Sequence, residues 1–244
     1  MVDFMQLTIG EIVANDYRAA TIFKSFGIDF CCDGQRTIPE ACASKQNDPE
    51  LLISLLYGVL KTENHEPFDY NSWPIDLLAD YIEKKHHRYT RERIPLLLKF
   101  FKKLSKTEAE LYPEIQTIHE LFKTSAEELL VSMKEEEAVL FPYIRKMIKS
   151  SDGKKKIGEQ HLGIAEASIR KILQDHAQEA KIFRKIKALS NNFMAPEDAS
   201  NSFNVAYTLL ADFEKDLHKH FHLENNILFP KALEFEAGFQ STSK

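Results

Sequence analysis

Apolar side chains recur at helical spacing through most of the chain, and the predicted elements follow from where that spacing starts and stops. Ala19, Ala20, Ile22, Phe23 and Phe26 share one helical face, and Gly27 sits where a helix would end in a left-handed residue. Upstream, Thr8 and Glu11 have the spacing of a reciprocal capping pair, so a short helix should begin there. The loop Asp29-Phe30-Cys31-Cys32-Asp33-Gly34 comes next, followed by predicted helices from Pro39 to Lys45 and from Pro49 to Leu60. Between Thr62 and Pro74, polar residues and two prolines interrupt any period. Beyond that stretch four long helices are predicted at roughly 75–105, 111–149, 154–190 and 199–235. Their breaks at Ser105-Lys106-Thr107, Ser150-Ser151-Asp152-Gly153 and Ala195-Pro196-Glu197-Asp198 are short. Short connections make consecutive helices antiparallel neighbours, and four of them close into an up-down bundle.

The expected organisation is therefore all-α: a small N-terminal helical domain over 1–62, a linker over 63–74 and a four-helix bundle over 75–237. Composition agrees, since the 244 residues include only 8 glycines and are rich in Leu, Ala, Glu, Lys and Ile. About 60 residues are a marginal size for independent folding, so the small domain should lean on the bundle or on a second copy, which makes a homodimer an expectation.

Charge and hydropathy narrow the partners. The 32 basic and 37 acidic residues are mixed along the chain, for a net charge of −5, so no basic surface is set aside for nucleic acid. No stretch approaches the ~20 apolar residues of a membrane span, and the first residues lack the cationic start and apolar run of a leader. A soluble, cytoplasmic protein is expected. Of the three cysteines, Cys31 and Cys32 are adjacent, a poor arrangement for a stapling disulfide, so the thiols should be reduced. The glycine after them leaves room to present the pair for chemistry. Burial as small core residues is the competing reading.

Candidate chemistry lies in the bundle. One heptapeptide recurs, Glu136-Glu137-Ala138-Val139-Leu140-Phe141-Pro142 on the second long helix and Glu224-Asn225-Asn226-Ile227-Leu228-Phe229-Pro230 on the fourth. Leu-Phe-Pro alone could mark a buried aromatic and a kink, but a glutamate repeated at the same offset asks for more. His220 stands one turn before Glu224, so imidazole and carboxylate share a helix face and can grip one metal ion. His218 and His222 lie about 200° around the helix from His220 and are expected in solvent. The first long helix carries His86-His87 and the third carries Glu159-Gln160-His161, so every long helix offers a nitrogen or carboxylate donor. Imidazole with carboxylate suits non-haem iron; structural zinc favours thiolates, and magnesium and calcium favour oxygen.

These residues resemble the hemerythrin-like domains, and more closely the RIC proteins, which repair iron–sulfur clusters with a di-iron centre. Gly27-Ile28-Asp29-Phe30-Cys31-Cys32-Asp33-Gly34 with Ala41-Cys42 looks like that family's N-terminal motif, Asp33 replacing its usual glycine. His87, four before Arg91 and eight before Pro95, is in the register of the family's first ligand, with His86 its non-ligand neighbour. The resemblance likewise implies Glu136, His161, His220 and Glu224 as ligands of two non-haem irons, oxo- or hydroxo-bridged. Ser132 occupies the expected sixth ligand position, where the family has histidine. A water or exogenous ligand would complete one iron, or one site would bind weakly, or the centre would be lost.

What the resemblance implies about function is repair of clusters damaged by nitrosative or oxidative stress. A labile di-iron centre would supply the iron, and the damaged iron–sulfur proteins would be the partners. Cys31 and Cys32 would serve thiol redox chemistry or iron transfer. An iron donor is favoured over a turnover enzyme. The alternatives are an enzyme reducing nitric oxide or peroxide, a carrier or sensor of oxygen or nitric oxide, and a helical interaction module without metal.

Overall fold

A computed structural model describes residues 3–61, 69–151 and 163–241. The small domain has four helices, α1 (Ile9–Asn15), α2 (Ala19–Ser25), α3 (Ile38–Lys45) and α4 (Pro49–Leu60). The predicted cap at Thr8 is present: its hydroxyl accepts from the Glu11 N–H, and the Glu11 carboxylate accepts from the Thr8 N–H at 2.8 Å. Thr37 and Glu40 repeat the arrangement at α3, and an isolated antiparallel bridge joins Thr8 to Thr37, so the two capped helix starts lie side by side. Gly27 ends the α2 segment with φ of 66°, the left-handed conformation its position called for.

The bundle helices are longer than their regular segments. Helix α5 runs through Ile75–Tyr81, a π-helical turn Ile82–His87 and Arg88–Thr107. Helix α6 comprises Glu114–Glu135, the π turn Glu136–Leu140 and Phe141–Ser151. Helix α7 is Ile164–Leu189, and α8 comprises Asn201–Leu223, the π turn Glu224–Leu228 and Phe229–Ser241. The repeated heptapeptide coincides with the π turns of α6 and α8. Pro142 and Pro230 lack the N–H that would reach the carbonyls of Ala138 and Asn226, and their rings crowd those carbonyls. Widening the turn by one residue relieves both problems, and such turns recur at functional sites. The π turn of α5 has no adjacent proline to explain it.

Residues 62–68, which include the whole first half of the predicted linker, lie outside the described residues. The rest of it, Asp69–Pro74, packs on the bundle: Tyr70 is buried, its ring lies 5.0 Å from Trp73 and 5.4 Å from Tyr81, and the Tyr70 and Tyr81 hydroxyls are 3.1 Å apart.

Two apolar layers fill the bundle. One contains Phe101, Phe122, Phe183 and Phe213, a ring from each long helix, and continues without a break into the small domain through Phe4, Ile9, Ile12, Phe23, Ile38 and Leu52. The other contains Ile82, Leu140, Phe141, Ile172, Leu223 and Phe229. The small domain thus leans on its own bundle, as its size requires. Among the described residues no helix is long and apolar enough to cross a membrane.

Close approach at this junction depends on two glycines. A Cβ on Gly10 would fall 2.5 Å from Asn226 Oδ1, and one on Gly34 would fall 2.8 Å from the same atom. Gly10→Ala should lower the unfolding free energy by about 1–3 kcal/mol in urea denaturation. A double-mutant cycle with Asn226→Ala should be non-additive, since both substitutions act on one contact; simple additivity would show that the contact is not there.

Candidate metal centre

Between the two apolar layers every long helix turns a polar side chain inward. His87, Glu136, His220 and Glu224 are all buried, and a ligating atom from each lies within 4.8 Å of the others. His87 Nε2 is 3.1 Å from Glu136 Oε2, 3.2 Å from His220 Nε2 and 4.0 Å from Glu224 Oε1. Glu224 Oε2 lies 3.1 Å from His220 Nε2 and 3.5 Å from Nε2 of His176, which reaches in from α7. Three imidazoles thus point Nε2 at two carboxylates.

The outer faces of two rings are fixed. His87 donates from Nδ1 to Glu137 at 2.7 Å, and the Arg91 guanidinium holds that carboxylate at 2.7 Å. His176 donates from Nδ1 to Asn225 Oδ1 at 2.7 Å. Donation from the far ring nitrogen to a carboxylate or amide fixes tautomer and orientation, leaving the Nε2 lone pair to face a metal. Glu137 and Asn225 are the second residues of the two heptapeptide copies. In each copy, then, the first position enters the polar layer and the second orients a histidine of a neighbouring helix.

The electrostatics are those of a site short of positive charge. Burial, aided by the neighbouring imidazoles, pushes His220 well below its usual value, and burial lowers His176 to about 4, so both are neutral at pH 7. Burial and the charge of Glu136 push Glu224 well above the carboxylate range. For Glu136, burial works upward too, but contact with His87, the nearness of His176 and the Ser132 hydroxyl outweigh it and hold the carboxyl low. Glu136 Oε2, both Glu224 oxygens and His220 Nδ1 are buried without a hydrogen bond. Buried polar atoms without partners are rare in folded proteins, and here the three carboxylate oxygens converge, while His220 Nδ1 lies on the far side of a ring whose Nε2 faces them. Neutral imidazoles with carboxylates are the donor set of non-haem iron, so these residues fit such a metal.

Residues 79–232 match the family described as the hemerythrin HHE cation binding domain. The chain belongs to that hemerythrin family. Residues 5–59 match a second description, ScdA_N, a domain of unknown function (DUF542). Relatives similar to the whole chain are named iron-sulfur cluster repair proteins. ScdA of Staphylococcus haemolyticus is 28% identical over 225 residues, 91% of this chain and 96% of its own length. YtfE of Musicola paradisiaca is 28% identical over 237 residues, 96% of this chain and 99% of its own. YtfE of Yersinia pestis is 29% identical over 234 residues, 96% of this chain and all of its own. Both halves of the motif pattern that resembles the RIC proteins are thereby matched.

In this hemerythrin-like bundle four of the five expected ligands, His87, Glu136, His220 and Glu224, meet. His161 lies outside the described residues. The histidine that α7 brings to the layer is His176, which sequence reasoning passed over. The predicted helix bounds did not single it out: Glu136 stands 13 residues before the end of a helix over 111–149, and that depth on one starting at 154 falls near residue 167, between His161 and His176. Ser132, in the sixth position, donates to Glu136 Oε1 at 3.0 Å, holding the carboxylate where the family would have an imidazole. His86 stands behind His220, rings parallel and 5.8 Å apart, and donates from Nδ1 to Asp216 at 3.1 Å.

Two further expectations change. His218 and His222 do not face solvent, because the small domain covers that side of α8. His222 is buried against the rings of Tyr17 and Phe30 and accepts from Asn226 Nδ2 at 2.9 Å, and His218 is half-buried beside Phe30. Nor does the loop present both thiols: Cys31 is 2% exposed, and only Cys32 is half-buried. Asn225 Nδ2 donates to the Cys31 carbonyl at 2.9 Å and Asn226 Nδ2 to that of Phe30 at 3.0 Å, which draws the loop onto α8.

One turn past His176, Glu179 is buried and accepts from the Ser125 hydroxyl at 2.6 Å, with its other oxygen unpartnered. Burial, with Glu128 and Asp175 nearby, raises its carboxyl to about 8 against an ordinary 4.5. The folded state therefore keeps a proton across that window which the unfolded chain has lost, so this group's contribution to stability is full below 4.5 and falls as pH rises towards 8. Glu179→Gln should match the parent in thermal stability at acidic pH and exceed it above pH 8. Equal melting temperatures on the alkaline side would mean that Glu179 is not held protonated.

Proposed function

We propose that this chain holds two non-haem irons in the polar layer of its bundle and supplies iron to iron–sulfur clusters damaged by nitrosative or oxidative stress. The observation that carries the reading is the convergence of His87, Glu136, His220 and Glu224 in one buried layer, with His176 beside them and with Glu136 Oε2 and both Glu224 oxygens left without a hydrogen bond. The names borne by the full-length relatives supply the repair role.

In this reading His87, His176 and His220 are the imidazole ligands, and Glu136 and Glu224 the carboxylates that pair with them. Bound iron would supply the exchangeable ferrous ion that a damaged cluster needs. The chain's own contribution is to orient the donors. Glu137 and Arg91 hold His87, Asn225 holds His176, and the apolar layers on either side keep bulk water out. Ser132 matters because a hydroxyl is a weak neutral donor for iron, so one ligand position is left to water or to an incoming molecule. An incomplete shell favours release.

Anaerobic reconstitution should give about two irons per chain. Asn225→Ala should weaken retention roughly 10–100-fold by freeing His176, whereas His161→Ala should leave it unchanged. Ser132→His should retain iron more tightly and deliver it more slowly to a cluster-depleted acceptor. Absence of bound iron in the folded protein would refute the reading, and steady consumption of nitric oxide by the reduced protein would favour a di-iron enzyme instead.

A further inference from the structure

Outside the polar layer the described residues contain one other group of metal-binding side chains, formed by Asp29, Cys31 and Cys32. It lies where the small domain meets α7 and α8, beside a cavity of about 360 Å³ whose lining includes Asp29, Phe30, Phe183, Glu214 and His218. We propose that Asp29, Cys31 and Cys32, with His218 across the cavity, form a second site that binds a single first-row dication through both thiolates.

The geometry supports a chelate. Cys31 and Cys32 hold their sulfurs 3.7 Å apart. Two thiolates at ~2.3 Å from one tetrahedral metal are about 3.8 Å apart, so the pair needs almost no rearrangement. Asp29 Oδ1 is 3.1 Å from Cys31 Sγ and accepts the backbone N–H groups of Cys31 at 3.1 Å and Cys32 at 3.0 Å. Those bonds fix the carboxylate against the sulfurs, and metal binding would replace two thiol protons, released to solvent, with one dication. Sulfur and nitrogen donors select iron, zinc or cobalt over magnesium or calcium.

His218 is the independent pointer. Its Nδ1 is buried without a hydrogen-bond partner and its ring lines the same cavity as Asp29, whose carboxyl is held low against the effect of burial by the Cys32 N–H, the Cys31 thiol and, after them, His218. Of the cationic side chains that line the cavity, Lys24 and Lys187 are paired to Glu214 at 3.0 and 3.4 Å, and Arg36 to Asp33 at 3.2 Å. Cys42, buried in α3, has no comparable donor group around it.

The site is wired to the bundle. Cys32 Sγ lies 3.6 Å from the backbone carbonyl of His176, and the Asn225 side chain joins the Cys31 carbonyl to the His176 ring. A transfer role, in which iron leaving the polar layer is next held by sulfur near the surface, rests on the proposed function. The existence of the site does not.

Cobalt(II) titrated into the full-length, metal-free protein under a thiol-free reductant tests the site. Because the polar layer contains no sulfur ligand, a thiolate-to-cobalt charge-transfer band in the near-ultraviolet reads this site alone. The band should saturate at about one equivalent and be absent from Cys31→Ser/Cys32→Ser. Asp29→Asn and His218→Ala should each weaken binding by about tenfold or more. No band in folded protein whose bundle takes up cobalt would overturn the proposal while sparing the di-iron reading. A band surviving the double serine variant, or unchanged affinity in both single variants, would overturn it as well. If the bundle takes no metal and the band still appears, the di-iron reading fails and this site stands.

Discussion

Two glutamates and three histidines sit in a layer with hydrocarbon above and below, and that placement constrains everything around it. Moving charged groups from water into such surroundings is unfavourable by several kcal/mol each unless they are paired. The protein lowers the penalty in steps that can be named. Burial keeps His176 and His220 neutral and pushes the Glu224 carboxyl up, while Glu136, opposite His87, is held low. What remains is a set of lone pairs with no protein donor to meet them. A cation is the group that converts this cost into a gain, so the layer is best understood as half of a structure completed by metal.

Holding that layer depends on departures from regular helix. In α6 and α8 a π turn begins at the glutamate of the polar layer and ends just before a Phe-Pro pair. The proline makes the regular turn unfavourable, and the wider turn places the glutamate in the layer while its successor points back towards a histidine of another helix. The heptapeptide therefore encodes two jobs at once, a carboxylate in the polar layer and a clamp for a histidine of a neighbouring helix. Glu137 and Asn225 perform the second job with different chemistry, carboxylate on one side and amide on the other, which is why identity alone would not have revealed their equivalence.

How much of this was legible in the sequence follows the range of the interactions. Helix starts set by local hydrogen bonds, as at Thr8 with Glu11, were readable, as were the four long apolar periods and the i, i+4 pair His220 and Glu224. The π turns were not, because Leu-Phe-Pro shows a break without showing how the helix absorbs it. His176 was missed because a lone histidine in mid-helix is ordinarily structural, and its depth relative to Glu136, read from the predicted helix bounds, does not set it apart from His161. His222 looked solvated because helical phase places it opposite His220. Phase says which residues share a face, and it cannot say that a second domain covers the other one.

That covering domain is joined to the ligand layer by consecutive side chains of a single turn. Asn225 clamps His176 and holds the Cys31 carbonyl, and Asn226 holds the Phe30 carbonyl while donating to His222. Gly10 and Gly34 leave the space that Asn226 occupies, so the fit tolerates little displacement on either side. A rotation of the His176 ring cannot occur without breaking or dragging the bond to Asn225, and through it the backbone that carries both thiols. The ring that faces the polar layer and the backbone that carries both thiols are therefore held by one amide. The small domain is thus tied to α8 at the same turn that orients His176, beside the apolar contacts that fold it against the bundle.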